Sequence, residues 1–207
     1  MSAAVIMKRI REMSTRFRAR LAGGLYLFTL LSAQFLESIF PGTFNRAAGI
    51  LELVGMSAVT VVLYYIFRSV HRSISLLAAV FNFTGITLEA IRFNAHVTDI
   101  AMVFHGLFCI LIGCLIFKSG FLPRSLGALI AFGGLAWCTY LTPSLANSLS
   151  PYNLACGLLG EASVFLWLLG MGINPELVQQ HAGQAENLTR TTKLPSMADV
   201  ANTQALP

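Results

Sequence analysis

Three titratable residues, Glu52, His105 and Glu161, each interrupt a long apolar run. An ionisable group inside a bilayer is costly unless it is paired or hydrated, so each of the three demands a partner, water or a ligand. They belong to three different apolar segments, and helical bundles assemble ligand, proton and metal sites from side chains on facing helices. Carboxylates beside an imidazole can act as general acid and base, bind a small molecule or ion, or ligate a divalent metal. His105, Glu161 and Glu52 are the metal candidates, with His96 as an additional ligand. No HExxH or ExxH spacing accompanies them, so the sequence specifies neither a metal, nor a cofactor, nor catalytic roles. The same three residues can also simply hydrogen-bond across helices and hold a bundle together. Glu89 and Arg92, three apart on one segment, form a second rank of ligand-binding candidates and also have the spacing of an ordinary ion pair. Glu37 and Asp99 fall close to the ends of their segments, where headgroups and water reach them.

The elements that must position these residues follow from hydropathy. Of 207 residues 56% are hydrophobic and 11% charged, with a mean hydropathy of +0.70. The charged share is less than half that of a soluble domain, about a quarter. Six apolar runs, 21–40, 47–67, 73–91, 100–117, 124–142 and 153–173, each approach the roughly 20 residues needed to cross a hydrocarbon core. Each is read as a helix, which satisfies its own backbone polar groups in lipid. The expected fold is therefore all-α: a polytopic membrane protein of six transmembrane helices occupying residues 21–173. Residues 1–20 precede it as a basic amphipathic segment suited to the membrane surface, and 174–207 follow as a polar tail expected to be disordered. The first run has the charge order of a secretory signal, but it is too long and no A-x-A site follows it, so it is read as a retained helix. The breaks between runs, including Lys118 to Pro123 and the polar stretch Pro143 to Tyr152, have turn chemistry and make neighbouring helices antiparallel.

Basic residues give the orientation. With the N-terminus inside, the inner segments hold Lys8, Arg9, Arg11, Arg16, Arg18, Arg20, Arg68, Arg72, Lys118, Arg124, Arg190 and Lys193, and the outer ones hold Arg46 and Arg92. The positive-inside rule then places both termini in the cytoplasm of a bacterium, in its inner membrane. On that topology Glu37, Glu52, Glu89, Arg92, His96, Asp99, His105 and Glu161 all lie in the outer half. Independent accidents would scatter over both leaflets, so the clustering predicts a polar cavity open to the outer face above an apolar floor.

Other features carry no chemistry at this level. Cys109, Cys114, Cys138 and Cys156 lack any CxxC spacing and read mainly as small apolar helix residues, with a Cys138–Cys156 disulfide as the alternative. Tyr64, Tyr65, Trp137, Tyr140, Tyr152 and Trp167 read as an interfacial aromatic belt. Gly127 with Ala131, and Cys156, Gly157 and Gly160, read as close helix contacts. The net charge of +5 comes in short blocks between apolar runs, which fits membrane topology and not a nucleic-acid partner. P-loop, Rossmann and nucleophile-elbow signatures are missing.

The stretch Phe117-Lys118-Ser119-Gly120-Phe121-Leu122-Pro123-Arg124, continuing through Leu126-Gly127, occurs with Arg20-Leu21-Ala22-Gly23-Gly24-Leu25-Tyr26 near the start. Gly160-Glu161 and Leu166-Trp167-Leu168-Leu169 follow in the last helix. Over about residues 19 to 173 this pattern resembles the bacterial multi-pass membrane family catalogued as domain of unknown function 4386. The resemblance implies a six-helix membrane fold and assigns no catalytic residue. Similar sequences often carry a longer loop between the first two helices, whereas here only a few residues around Pro41 to Asn45 connect them.

The expected role is an uncharacterised inner-membrane protein whose outer cavity binds a small molecule or ion, for sensing, transport or accessory function. A membrane-embedded enzyme acting on a lipophilic substrate, or a structural subunit without its own site, are the alternatives. The expected partners are the lipid bilayer and that ligand, and the composition is compatible with an oligomer.

Overall fold

The computed structural model describes residues 16–29, 31, 45–92, 100–174, 176–178, 180 and 183. Those residues form helices and turns, with no strand among them. Helix α1 covers 16–29, α2 Asn45–Phe67, α3 Arg72–Arg92, α4 Ile100–Ser119, α5 Arg124–Cys138, α6 Pro143–Leu149 and α7 Tyr152–Gly170. Four of these, α2 (over Gly49–Phe67), α3 (over Arg72–Ile91), α4 and α7, are long and apolar enough to cross a membrane.

Two expectations need correction in detail. The fifth run does not continue as one α-helix to Thr142. Its α-helical part stops at Cys138 and tightens into a 3₁₀ turn over Thr139–Leu141. At roughly 1.5 Å per α-helical and 2.0 Å per 3₁₀ residue the two together still rise about 28 Å. The polar stretch after it is not a plain turn either, because it contains α6, opened by Pro143 in the first helical turn where its missing N–H is harmless. The Asn153 side-chain amide bonds Thr139 Oγ1 and the Ala146 carbonyl, both at 3.2 Å, tying α6 to the start of α7. The remainder of the first run, and most of the tail, lie outside the described residues.

The six longer helices close into a ring in the order α1, α2, α3, α4, α5, α7. Contacts join α2 to α3, α3 to α4, α4 to α5 and α5 to α7. Gly23 of α1 meets Phe165 and Leu169 of α7, and Gly55 of α2 meets Thr29 of α1. Small residues set these approaches, as expected where lipid supplies no hydrophobic drive and close packing must serve. On antiparallel α4 and α5, Gly106 abuts the Gly134 carbonyl and Gly113 the Gly127 carbonyl, two glycine pairs seven residues apart on each helix. The α4–α5 turn is equally local in origin. Gly120 at φ +63° lets the chain leave α4 left-handed, and Ser119 Oγ accepts the Phe121 N–H at 3.1 Å.

Inside the ring, Leu63, Phe67, Ile112, Leu115, Ile116, Ile130, Phe165 and Leu168 are all 4% exposed or less. Outside it, Leu76, Leu77, Val80, Phe83, Leu129, Phe132 and Leu135 are between 38% and 61% exposed. An apolar outer face of this extent is unlike a water-soluble monomer and matches a lipid-facing surface.

Candidate functional site

At the end of the ring where α3 finishes and α4 begins, a cavity of about 240 Å³ enters the bundle. It exceeds the cavity of about 150 Å³ that admits benzene in an engineered protein core. Its walls are apolar, from Leu53, Met56, Ile86, Ala101, Met102 and Leu158, and polar groups from six helices converge within it.

Glu161 of α7 is the centre. Only 3% exposed, its carboxylate accepts hydrogen bonds from the Tyr26 hydroxyl of α1 and, at 2.6 Å, from the Trp137 indole N–H of α5. Tyr26 is fixed in turn by stacking on Phe165, with ring centroids 3.8 Å apart. His105 Nε2 of α4 lies 3.0 Å from Glu161 Oε1. The other imidazole nitrogen, Nδ1, is 2.9 Å from Asn82 Oδ1 of α3.

The polarity of this chain follows from its far end. The Thr60 hydroxyl donates to the Met56 carbonyl at 2.7 Å, so Thr60 Oγ1 accepts from Asn82 Nδ2 at 2.5 Å. That turns Asn82 Oδ1 towards His105, and Nδ1 must carry the proton it donates there. Nε2 is then the nitrogen left to face Glu161, with one proton to be shared between imidazole and carboxyl. Cys109, one turn along α4, completes the group with its Sγ 3.7 Å from His105 Nε2 and 3.9 Å from Glu161 Oε1.

Of the residues singled out from sequence, Glu52, Glu89, His105 and Glu161 all line this one cavity. Glu161 and His105 lie at its inner end in direct contact, Glu89 is half-buried, and Glu52 is exposed. Arg92 is the last residue of α3, but its side chain, like His96 altogether, lies outside the described residues, as do Glu37 and Asp99.

Two sequence assignments change. Trp137 is no belt residue: it is 5% exposed and bonded to Glu161. Cys109 does not merely pack, since its thiol sits against the histidine and the carboxylate. Cys138 and Cys156 are free thiols. Sequence reasoning also missed Tyr26, Thr60 and Asn82. Asn82 carried a usable signal, an amide in the middle of an apolar run, and Cys109 carried another, four residues from His105 and so on the same helix face.

These features define a class: a helical membrane protein with a buried carboxylate–imidazole–thiol group at the inner end of a cavity. Residues 85–172 match a family described as "Domain of unknown function (DUF4386)", so the resemblance read from the sequence holds over that segment. The matched segment contains Glu89, His105, Cys109, Trp137 and Glu161. The chain is also similar to an "Uncharacterized protein" of Archaeoglobus fulgidus, 28% identical over an alignment of 155 residues that covers 70% of this chain and 93% of that one. That relative is archaeal, so similarity to this chain is not confined to bacteria. No solved structure matches the chain.

Proposed function

We propose that this chain is an inner-membrane protein of six spans with cytoplasmic termini, whose cavity opens to the outer face and binds a small molecule or ion. One observation carries the reading. A hydrogen-bonded Glu161–His105 pair lies at the inner end of an apolar-walled cavity, where a ligand can replace water against groups already oriented by Tyr26, Trp137 and Asn82.

The opposite end of the bundle favours binding over passage. There the ring is filled by Phe67, Ile112, Leu115 and Ile116, each 4% exposed or less, which offers a transported polar solute no partners. Sensing or accessory binding, or chemistry confined to the cavity, suits that arrangement better than a route through the membrane. A purely structural role would not need an open cavity beside the pair.

Occluding the cavity tests the reading. Leu158 lines it from α7, and Leu158→Trp is expected to reduce the amount of any species that co-purifies with the full chain by at least about tenfold, equivalent to roughly 1.4 kcal/mol, with unfolding temperature little changed. Native mass spectrometry and elemental analysis of the two proteins measure this. A wild-type protein carrying nothing, or an equally loaded variant, overturns the proposal.

Orientation has its own test. Arg68, Arg72, Lys118 and Arg124 flank the turns at the end opposite the cavity mouth, which supports a cytoplasmic placement of that end. A reporter active only outside the cytoplasm, fused after Pro207, should be silent, and one active only inside should work. The reverse pattern would turn the cavity inward.

A further inference from the structure

We infer that His105 Nε2, Cys109 Sγ and Glu161 Oε1 form a three-ligand site for a thiol-accepting divalent transition metal such as Zn²⁺, with its fourth position facing the cavity. The inference rests on the cavity reading above only for that fourth position.

The geometry is that of a ligand set. The three atoms lie within 4.8 Å of one another, at separations of 3.0, 3.7 and 3.9 Å. Bond lengths of about 2.0–2.1 Å to nitrogen, 2.0–2.2 Å to oxygen and 2.3 Å to sulfur put tetrahedral ligand atoms roughly 3.3–3.6 Å apart. Shifts of a few tenths of an ångström convert one arrangement into the other. His105 and Cys109 share a face of α4 by their spacing of four, and Glu161 meets them from α7.

The surrounding hydrogen bonds are those a metal site requires. Ligating histidines donate their second ring N–H to an acceptor, and ligating carboxylates are themselves hydrogen-bonded. Asn82, held by Thr60, accepts the Nδ1–H hydrogen bond and leaves Nε2 for the metal. Tyr26 holds Glu161 Oε2, and Trp137 donates to Oε1. A hydrogen-bonded structural pair would not call for a thiol aimed at the same point.

Charge balances as well. Metal binding displaces the Cys109 thiol proton and the single proton shared by His105 and Glu161. Two protons leave as two positive charges enter, so the net charge of the buried site is unchanged. That matters in a low-dielectric interior, where an uncompensated charge is strongly disfavoured. A neutral imidazole, a thiolate and a carboxylate also form a soft, mixed-donor set that favours zinc-like ions over Mg²⁺ or Ca²⁺. Cys109 is 1% exposed, whereas His105 and Glu161 line the cavity, so the open position points where a water or ligand atom can reach it.

The test uses the full chain in detergent, stripped with chelator and titrated separately with Zn²⁺ and Co²⁺. One ion per chain is expected. The Co²⁺ form should show intense tetrahedral d–d bands and a thiolate-to-cobalt charge-transfer band. Cys109→Ala should abolish the charge-transfer band and weaken Zn²⁺ binding by at least about 100-fold, and Asn82→Ala by about 10- to 100-fold. Cys114→Ser, at an exposed position on the same helix, should bind as wild type does. Folded wild-type protein that takes up neither ion, bound Co²⁺ without the charge-transfer band, or undiminished binding by Cys109→Ala overturns the inference. The wild-type spectrum decides the question even if a variant fails to fold. Absence of metal uptake alongside an organic species lost in Leu158→Trp would remove the metal site and leave the cavity reading standing.

Discussion

Glu161→Ala is expected to destabilise the metal-free chain by about 3–5 kcal/mol, the range found when one member of a buried charged pair is removed. The carboxylate is 3% exposed and receives the Tyr26 hydroxyl, the Trp137 indole N–H and His105. Alanine leaves all three facing an apolar interior, and each unsatisfied buried polar group costs about 1–3 kcal/mol. Water entering from the cavity can satisfy part of this, which moves the expectation to the lower half of the range. Glu161→Gln separates hydrogen bonding from charge. Its amide oxygen can still accept from Trp137, which can only donate, while its NH₂ turns to Tyr26, whose hydroxyl oxygen can accept. The glutamine variant should therefore be clearly more stable than the alanine one. For a chain of this length the alanine substitution should lower the unfolding temperature by about 10 °C, read by tryptophan fluorescence in detergent. An alanine variant melting within a few degrees of wild type would show that the network does not hold the bundle.

The sequence exposed this centre unevenly, and the reasons are physical. Glu161 and His105 were legible because an ionisable residue in a lipid-length apolar run is costly and cannot be indifferent. Their convergence with Glu52 and Glu89 in one cavity was legible as a shared depth, since helix rise fixes how far each lies from its span end. Which side chains complete the group was not. Depth is set by position along a helix, but contact depends on rotation about its axis and on which helices are neighbours. Trp137 looked interfacial because it lies five residues from the end of the 124–142 run, and only the α5–α7 approach turns it inward onto Glu161. Tyr26 reaches the same carboxylate because the ring closes α1 against α7, a contact between the first and last long helices that no local pattern encodes. The end of α5 was misjudged for a related reason. Hydropathy runs smoothly through Thr139 to Leu141, so nothing in composition marks where α-helical bonding gives way to a 3₁₀ turn.

Gly157→Ala should be nearly as damaging as the loss of the carboxylate, although it adds one methyl group and removes nothing. A Cβ at Gly157 would stand 2.4 Å from Trp137 Cε2 and 2.7 Å from its Nε1, far inside any real contact. A flexible side chain could yield. This indole cannot do so cheaply, because it is buried, packed beside His105 and Tyr140, and pinned by its 2.6 Å bond to Glu161. Backing α7 away instead would open the seam in which Gly160 lies against the Leu129 carbonyl and Gly133 against those of Cys156 and Gly157. Overpacking typically costs about 1–3 kcal/mol, and losing a hydrogen bond to a charged group adds about 1.5–3 kcal/mol. The expected destabilisation is about 2.5–6 kcal/mol. Gly24→Ala is the matched control: its nearest contact is an ordinary 3.7 Å to Leu169 Cδ1, so it should be neutral or slightly stabilising through helix propensity. If the indole is what the new methyl strikes, Trp137→Phe should partly relieve Gly157→Ala, making the double variant less destabilised than the two single changes added together. Strict additivity would instead place the damage in the helix backbones, and the tight α5–α7 approach would then be independent of the tryptophan that it presses onto Glu161.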